Sequence, residues 1–266
     1  MSEPLLRTCG VGIHPLTMDE AVERICAAAA ARRPLATHLV NAYTLSLAAR
    51  GEPFRALLDE GDLNLPDGTP LVWLARRAGL PQLTARVYGP DLTAAVCDQG
   101  RRHGMRHYLY GGSPEVVRQF AATLRERYGG IEIVGAESPP YRPLTSDEEE
   151  AFADRVHASG ANVVWVGLGT PKQDEFVARF RDRIGVPMVA VGAAFDFLAG
   201  AKKSAPLWMQ QRGLEWLYRL LSEPRRLWRR YLIGNTVFLW HALRTTRKRH
   251  SKSSIRRLAA CLMLLT

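Results

Sequence analysis

Between residues 36 and 200 the chain alternates short apolar runs with longer amphipathic ones, and most of the joints between them carry glycine. "ATHLVNA", "DLNLPDG", "HYLYGG", "IEIVGAE", "ANVVWVGLG" and "VPMVAVGAAFDFLAG" read as strands. "AYTLSLAARG", "TPLVWLARRAG", "SPEVVRQFAATLRERYGG", "TSDEEEAFADRVHASG" and "PKQDEFVARFRDRIG" read as the helices between them. Strand then helix, repeated with short connections, predicts an α/β fold: a Rossmann-like parallel sheet with helices on both faces. An alanine-rich helix over Met18–Arg33 precedes it, with Thr17 and Glu20 spaced as a capping box. Ser113 and Pro114 mark another helix start, and Gly51 is expected to end the helix that follows "ATHLVNA".

Ligands of such sheets lie beyond the carboxyl ends of the strands, where glycine lets backbone approach them. The strand-end candidates are therefore Asn41, the Pro66–Gly68 turn, Gly111 and Gly112, Gly167 to Gln173 with Gly169 between, and Gly192 to Asp196. Asp67, between Pro66 and Gly68, can take a proton from an attacking hydroxyl if burial raises its basicity. Local pattern alone also fits a plain "PDG" turn. Asp196 sits between Phe195 and Phe197, unusual company for a surface acid, and Gln173 offers a donor and an acceptor at a helix start.

The net charge of +10 is not spread evenly. From Lys202 to Arg257 fifteen Lys and Arg face only Glu215 and Glu223, a local +13, so the rest of the chain sums to −3. That segregation implies an anionic partner, whether membrane surface, diphosphate or nucleic acid. From Pro206 onward there is no strand pattern, and four of the six tryptophans occur there with apolar residues at helical spacing. Arg219, Arg226, Arg229 and Arg230 can share or flank one helix face. Trp and Arg on one amphipathic helix suit an anionic bilayer surface, whereas "YLIGNTVFLWHAL", about thirteen residues, is too short to span one. Packing of Trp216 and Trp228 against the body is the alternative. We divide the chain into an α/β core over 1–205, a basic helical appendage over 206–249 and a tail over 250–266 that is flexible or membrane-associated.

No metal-ligand cluster, DxD pair, GxGxxG fingerprint or cofactor signature occurs, and the four scattered cysteines read as reduced thiols of a cytoplasmic protein. The N-terminus shows no secretory signal. A diphosphate would then be met by arginines and helix N-termini. A nicotinamide oxidoreductase and a non-enzymatic membrane- or nucleic-acid-binding module are the competing classes. The first lacks its glycine fingerprint, and the second leaves an acid at a glycine turn without a role.

The set "VNAYTLSLA", "LPDGTPLVW", "RVYGPDL", "LYGGSPEV", "VWVGLGTPKQDEF", "VGAAFDFLAG" and "APLWMQQRGLEWLYRLLSEPRRLWRRY" resembles the WecG/TagA/CpsF family of bacterial glycosyltransferases over about residues 10–240. The resemblance implies a peripheral membrane enzyme at the inner face of the cell membrane. It would move N-acetylmannosamine, its uronic acid or glucuronic acid from UDP to an undecaprenyl-diphosphate-linked acceptor, with inversion, without a required metal and with no part for nucleic acid. It implies Asp67 as catalytic base, Asn41, Arg86 and Gln173 as pocket residues, Asp196 near the nucleoside, and Arg219, Arg226 and Arg229 toward a diphosphate. Two positions depart from the family pattern. Leu39 replaces a frequent threonine, leaving Thr44 or another group to supply a hydroxyl, and Ser204 replaces a frequent arginine. Homo-oligomerisation is left open.

Overall fold

The computed structural model describes residues 4–247, and the side chains of 4–242. Cys261 and the tail placed at 250–266 lie outside the described residues. A two-stranded hairpin, β1 (Leu6–Thr8) and β2 (Val11–Ile13), turns through Cys9 and Gly10, both at positive φ, as a tight two-residue hairpin loop requires. The chain then runs α1 (Met18–Ala30), β3 (Leu35–Val40), α2 (Ala42–Ala48), α3 (Glu52–Asp59), β4 (Leu63–Pro66), α4 (Thr69–Arg77) and α5 (Gly89–Gly100). After them come β5 (Arg106–Gly111), α6 (Pro114–Arg127), β6 (Glu132–Glu137), α7 (Ser146–Ser159), β7 (Val163–Gly167), α8 (Lys172–Ile184), β8 (Pro187–Ala190) and the short α9 (Ala194–Leu198). The basic segment forms α10 (Leu207–Gln211), α11 (Glu215–Ser222) and α12 (Pro224–Arg247).

The six strands β3 to β8 form one wholly parallel sheet in the order β4-β3-β8-β7-β5-β6, as the strand–helix alternation predicts. Its faces are buried by different helices because successive side chains point to opposite sides. Trp165 and Val189 face Ile25, Val96 and Phe120, whereas Val164, Val166 and Met188 face Phe152, Phe176 and Phe180. The Thr17–Glu20 capping box forms, and Ser113 caps α6 with Pro114 first in the helix.

Three local expectations are corrected. Gly51 is extended (φ −131°) and opens α3 as its N-cap instead of closing α2, because Pro53 in the next turn favours a helix start. The helix α5 and the hairpin β1–β2 belong to stretches where no element was expected. The turn expected after the strand in "VPMVAVGAAFDFLAG" instead holds a short helix, α9, directly after β8 ends at Ala190.

The segment set apart by charge packs on the body. Helix α12 buries Leu227, Gly234, Phe238 and Ala242. Phe238 and Ala242 join a cluster with Leu6, Val11, Ile13, Leu45 and Ala48. Gly234 allows the approach to α2, since a Cβ there would lie 3.2 Å from Ser46 Oγ and 3.3 Å from the Tyr43 ring. On the other side, Trp228, Leu232, Ile233 and Trp240 are exposed, as are Leu207, Trp208 and Leu221 on α10 and α11. Trp216 is half-buried against Tyr231. No helix among the described residues is long and apolar enough to cross a membrane.

Candidate active site

A cleft of about 760 Å³ opens over the carboxyl ends of the strands, a volume suited to a nucleotide-sized ligand. Its floor is made by the turns after β3, β4, β5, β7 and β8, which contribute Asn41, Asp67, Gly112, Gly167 to Thr170 and Gly192. The chain leaves β5 toward β6 and β7 toward β8, in opposite directions, so the adjacency of β7 and β5 is a switch point that leaves a crevice at the strand ends. The opposite wall is cationic: Lys202, Arg219, Arg226 and Arg230.

Asp67 is half-buried at this floor, where its Oδ1 accepts from the Gly89 N–H at 3.4 Å. Burial raises its carboxyl to about 6; Arg86 pulls it down, Glu215 pushes it up, and Arg219 and the Asn41 side chain pull it down again. Asn41 is an N-cap by local sequence. Its Oδ1 accepts from the backbone N–H groups of Tyr43 and Thr44 at 3.1 and 3.2 Å, which fixes the side chain that reaches Asp67.

Gln173, 3% exposed, is held inside its own loop: Oε1 accepts from the Gly169 N–H at 3.0 Å, and the amide lies beside Gly192. Both glycines have positive φ, +76° and +55°, where a side chain would be strained. Asp196 meets Lys202 at 3.5 Å; Lys202 meets Glu223 at 3.4 Å, and Glu223 meets Arg226 at 2.5 Å. This chain of charges joins the core to the start of α12.

Three predicted residues stand elsewhere. Gly111 is structural: at φ +146° a Cβ would fall 2.5 Å from the Gly167 carbonyl oxygen, and its neighbour Gly112 lines the cleft instead. Arg86 lies behind Tyr88 in a smaller recess of about 370 Å³. There it pairs with Glu215 at 2.5 Å and covers the Tyr88 ring at 4.1 Å. Arg229 is exposed over Trp228, and the next residue, Arg230, turns inward over the Tyr43 ring at 4.4 Å. Burial lowers the pKa of Arg230, its Nε has no hydrogen-bond partner, and no carboxylate among the described residues pairs with it.

Thr44 does not supply the hydroxyl that Leu39 lacks, because it is fully buried and its Oγ1 bonds Asn41 Oδ1. Leu39 makes an apolar patch of cleft wall, and Ser204 is exposed outside it. Sequence reasoning missed Tyr88, Lys202, Arg230 and the Pro139–Leu144 loop, all of which line the cleft. Among the described residues no three His, Cys, Asp or Glu side chains are grouped to hold a metal ion. Cys9, Cys26 and Cys97 are buried free thiols.

The cleft thus sets glycine turns of a parallel sheet and a carboxyl of raised pKa against a wall of cationic side chains. The sequence profile of the Glycosyl transferase WecG/TagA/CpsF family matches residues 6–252, and the chain belongs to that family. It is accordingly a glycosyltransferase of cell-envelope polysaccharide synthesis, a class that works between nucleotide-sugar donors and lipid-linked acceptors.

Proposed function

We propose that this enzyme transfers N-acetylmannosamine, its uronic acid or glucuronic acid from UDP to a free hydroxyl of a polyprenyl-diphosphate-linked acceptor, inverting the anomeric centre. The observation that carries the reading is Asp67, a half-buried carboxyl raised to about 6 at the floor of a cleft whose far wall is cationic. A base of that pKa is ionised near neutrality yet basic enough to accept an alcohol proton as the bond to carbon forms. Its low basicity in water, near 3.8, would make a poorer acceptor.

The acceptor hydroxyl attacks the anomeric carbon, its proton passes to Asp67, and the bond to the UDP oxygen breaks on the opposite face. One displacement inverts the configuration. Charge gathers on the departing diphosphate, which Arg219, Arg226, Arg230 and Lys202 are disposed to neutralise. Asn41 orients Asp67, Gln173 and Gly192 border the donor sugar, and Asp196 stands toward the nucleoside. Trp208, Trp228, Leu232 and Ile233, with Arg225 and Arg229 among them, bring the cleft to an anionic membrane, where the acceptor's lipid is embedded.

The test is a donor screen with a short, water-soluble lipid-diphosphate acceptor, reading UDP release. Transfer from one of the three UDP-sugars, lost in Asp67→Asn while UDP still binds, is the expected result. A panel in which no UDP-sugar is turned over, or an Asp67→Asn enzyme of near-full activity, overturns the reading.

A further inference from the structure

We propose that Glu215 is a positioning residue for the transfer: without touching substrate, it clamps Arg86 of the core and Arg219 of α11 beside Asp67 and so sets the charge environment of the base. The inference rests on the reading of Asp67 as that base.

Glu215 opens α11 and is one of only two acids in the basic segment from Lys202 to Arg257. It is 7% exposed, and a buried carboxylate is costly unless paired. Its partners come from both parts of the chain. Arg86 Nη2 lies 2.5 Å from Oε2, and Arg219 Nη1 lies 3.9 Å from Oε1. Gln210 of α10 accepts from Arg86 at 3.4 Å, and the Tyr88 ring supports the guanidinium from below. Arg86 is thereby held behind the cleft wall instead of projecting into it.

The groups that bear on Asp67 can be named element by element. Arg86 and Tyr88 come from the segment before α5, the Gly89 N–H from its first turn, Asn41 from the cap of α2, and Glu215 and Arg219 from α11. Asp91 of α5 feels the same Arg86 and Glu215. Two guanidiniums alone would hold Asp67 as a stable, weakly basic carboxylate. Burial is what raises Asp67, and Glu215 offsets part of the pull that the two guanidiniums exert against it. Burial lowers the pKa of both arginines, but for Arg86 the carboxylates of Glu215 and Asp67, and for Arg219 Tyr231 followed by Glu215, Tyr88 and Asp67, more than reverse it.

The experiment follows the Asp67 carboxyl by ¹³C NMR titration of the full chain, with Asp67→Asn identifying its resonance, and in parallel the acid limb of kcat/KM for UDP release. In Glu215→Gln the midpoint is expected to fall by about one pH unit, as removal of one near charge predicts. In Arg86→Gln/Glu215→Gln it returns toward the wild-type value, and the kinetic limb moves in the same order. A purely structural Glu215 would lower kcat in both variants with the midpoint fixed, and that result overturns the proposal. Should Glu215→Gln not fold, Arg86→Gln and the double variant serve: the double must titrate below Arg86→Gln, and coincident midpoints overturn the proposal. A wild-type enzyme without transfer from any UDP-sugar would sink the UDP-donor reading, while the NMR midpoints would still decide the role of Glu215.

Discussion

His38 Nδ1 lies 3.0 Å from Asp174 Oδ1, and both side chains are completely buried. The contact fastens β3 to the first turn of α8, one residue after Gln173. The other polar atoms, His38 Nε2 and Asp174 Oδ2, have no hydrogen-bond partner, so the pair satisfies itself only through this one contact. Replacing either partner alone, as in His38→Leu or Asp174→Leu, strands a buried polar group and should cost about 3 kcal/mol. The double variant should cost less than the sum by about 1 kcal/mol or more, because neither group is then orphaned. Urea denaturation of the two single variants and the double checks this.

Asp67→Asn should lose about 10²–10⁴ in kcat, the usual contribution of a positioned base. It should also stabilise the fold, with a definite pH dependence. Asp67 has a folded pKa of about 6 against 3.8 when free, so the folded state holds its proton more tightly. The stability it contributes is complete below about pH 4 and lost as the pH rises through 6. The variant should therefore exceed wild type at pH 7, by at most about 3 kcal/mol, and match it near pH 4. Chemical denaturation at the two pH values tests the sign.

Neighbouring arginines on α12 should behave differently. Arg230 lines the cleft over Tyr43 without a carboxylate partner among the described residues, so Arg230→Ala should weaken UDP-sugar binding about 10- to 100-fold, the worth of a charge-assisted contact. Arg229→Ala, altering an exposed side chain over Trp228, should change binding of the soluble donor less than about threefold while reducing retention on anionic vesicles. Calorimetry with UDP and vesicle sedimentation separate the two effects.

Gly111→Ala should be poorly tolerated. Its φ of +146° excludes a side chain, and a Cβ would strike the Gly167 backbone at 2.5 Å, parting β5 from β7 where the cleft floor begins. A loss of about 3 kcal/mol or more is expected. Gly79→Ala, at φ +80° with nothing within 4 Å of the added carbon, shows what a positive φ costs in the absence of a clash. The two thermal transitions should differ clearly.

The parallel sheet was legible because strands covered on both faces appear as nearly continuous apolar runs, Val163 to Val166 being the clearest, and because Thr17, Ser113 and Gly160 punctuate the helices as their chemistry requires. Strand ends located Asn41, Asp67 and the Gly167–Gln173 turn without tertiary information. What escaped depends on tertiary context. Strand order is set by which helices cover which face. Cys9 at φ 53° is not a residue that marks a hairpin turn. Arg229 and Arg230 differ by one helical step of about 100°, and α12 has apolar side chains both toward the body and toward solvent, so sequence alone could not phase them. Glu215 did leave a trace: an acid between "GL" and "WLYRL" in a segment otherwise almost free of acids.

The docking of Phe238 and Ala242 against Leu6, Val11 and Ile13 brings together the first and the latest described elements of the chain. During synthesis the hairpin emerges long before α12; Leu45, Ala48 and Leu58 can cover part of its apolar side early, but the part that Phe238 and Ala242 cover waits for more than two hundred further residues. The same late helix carries Arg226 and Arg230. Nascent chains thus hold the strand-end turns well before Arg226 and Arg230 are made, so the cationic wall of the cleft is the last part of it to be assembled.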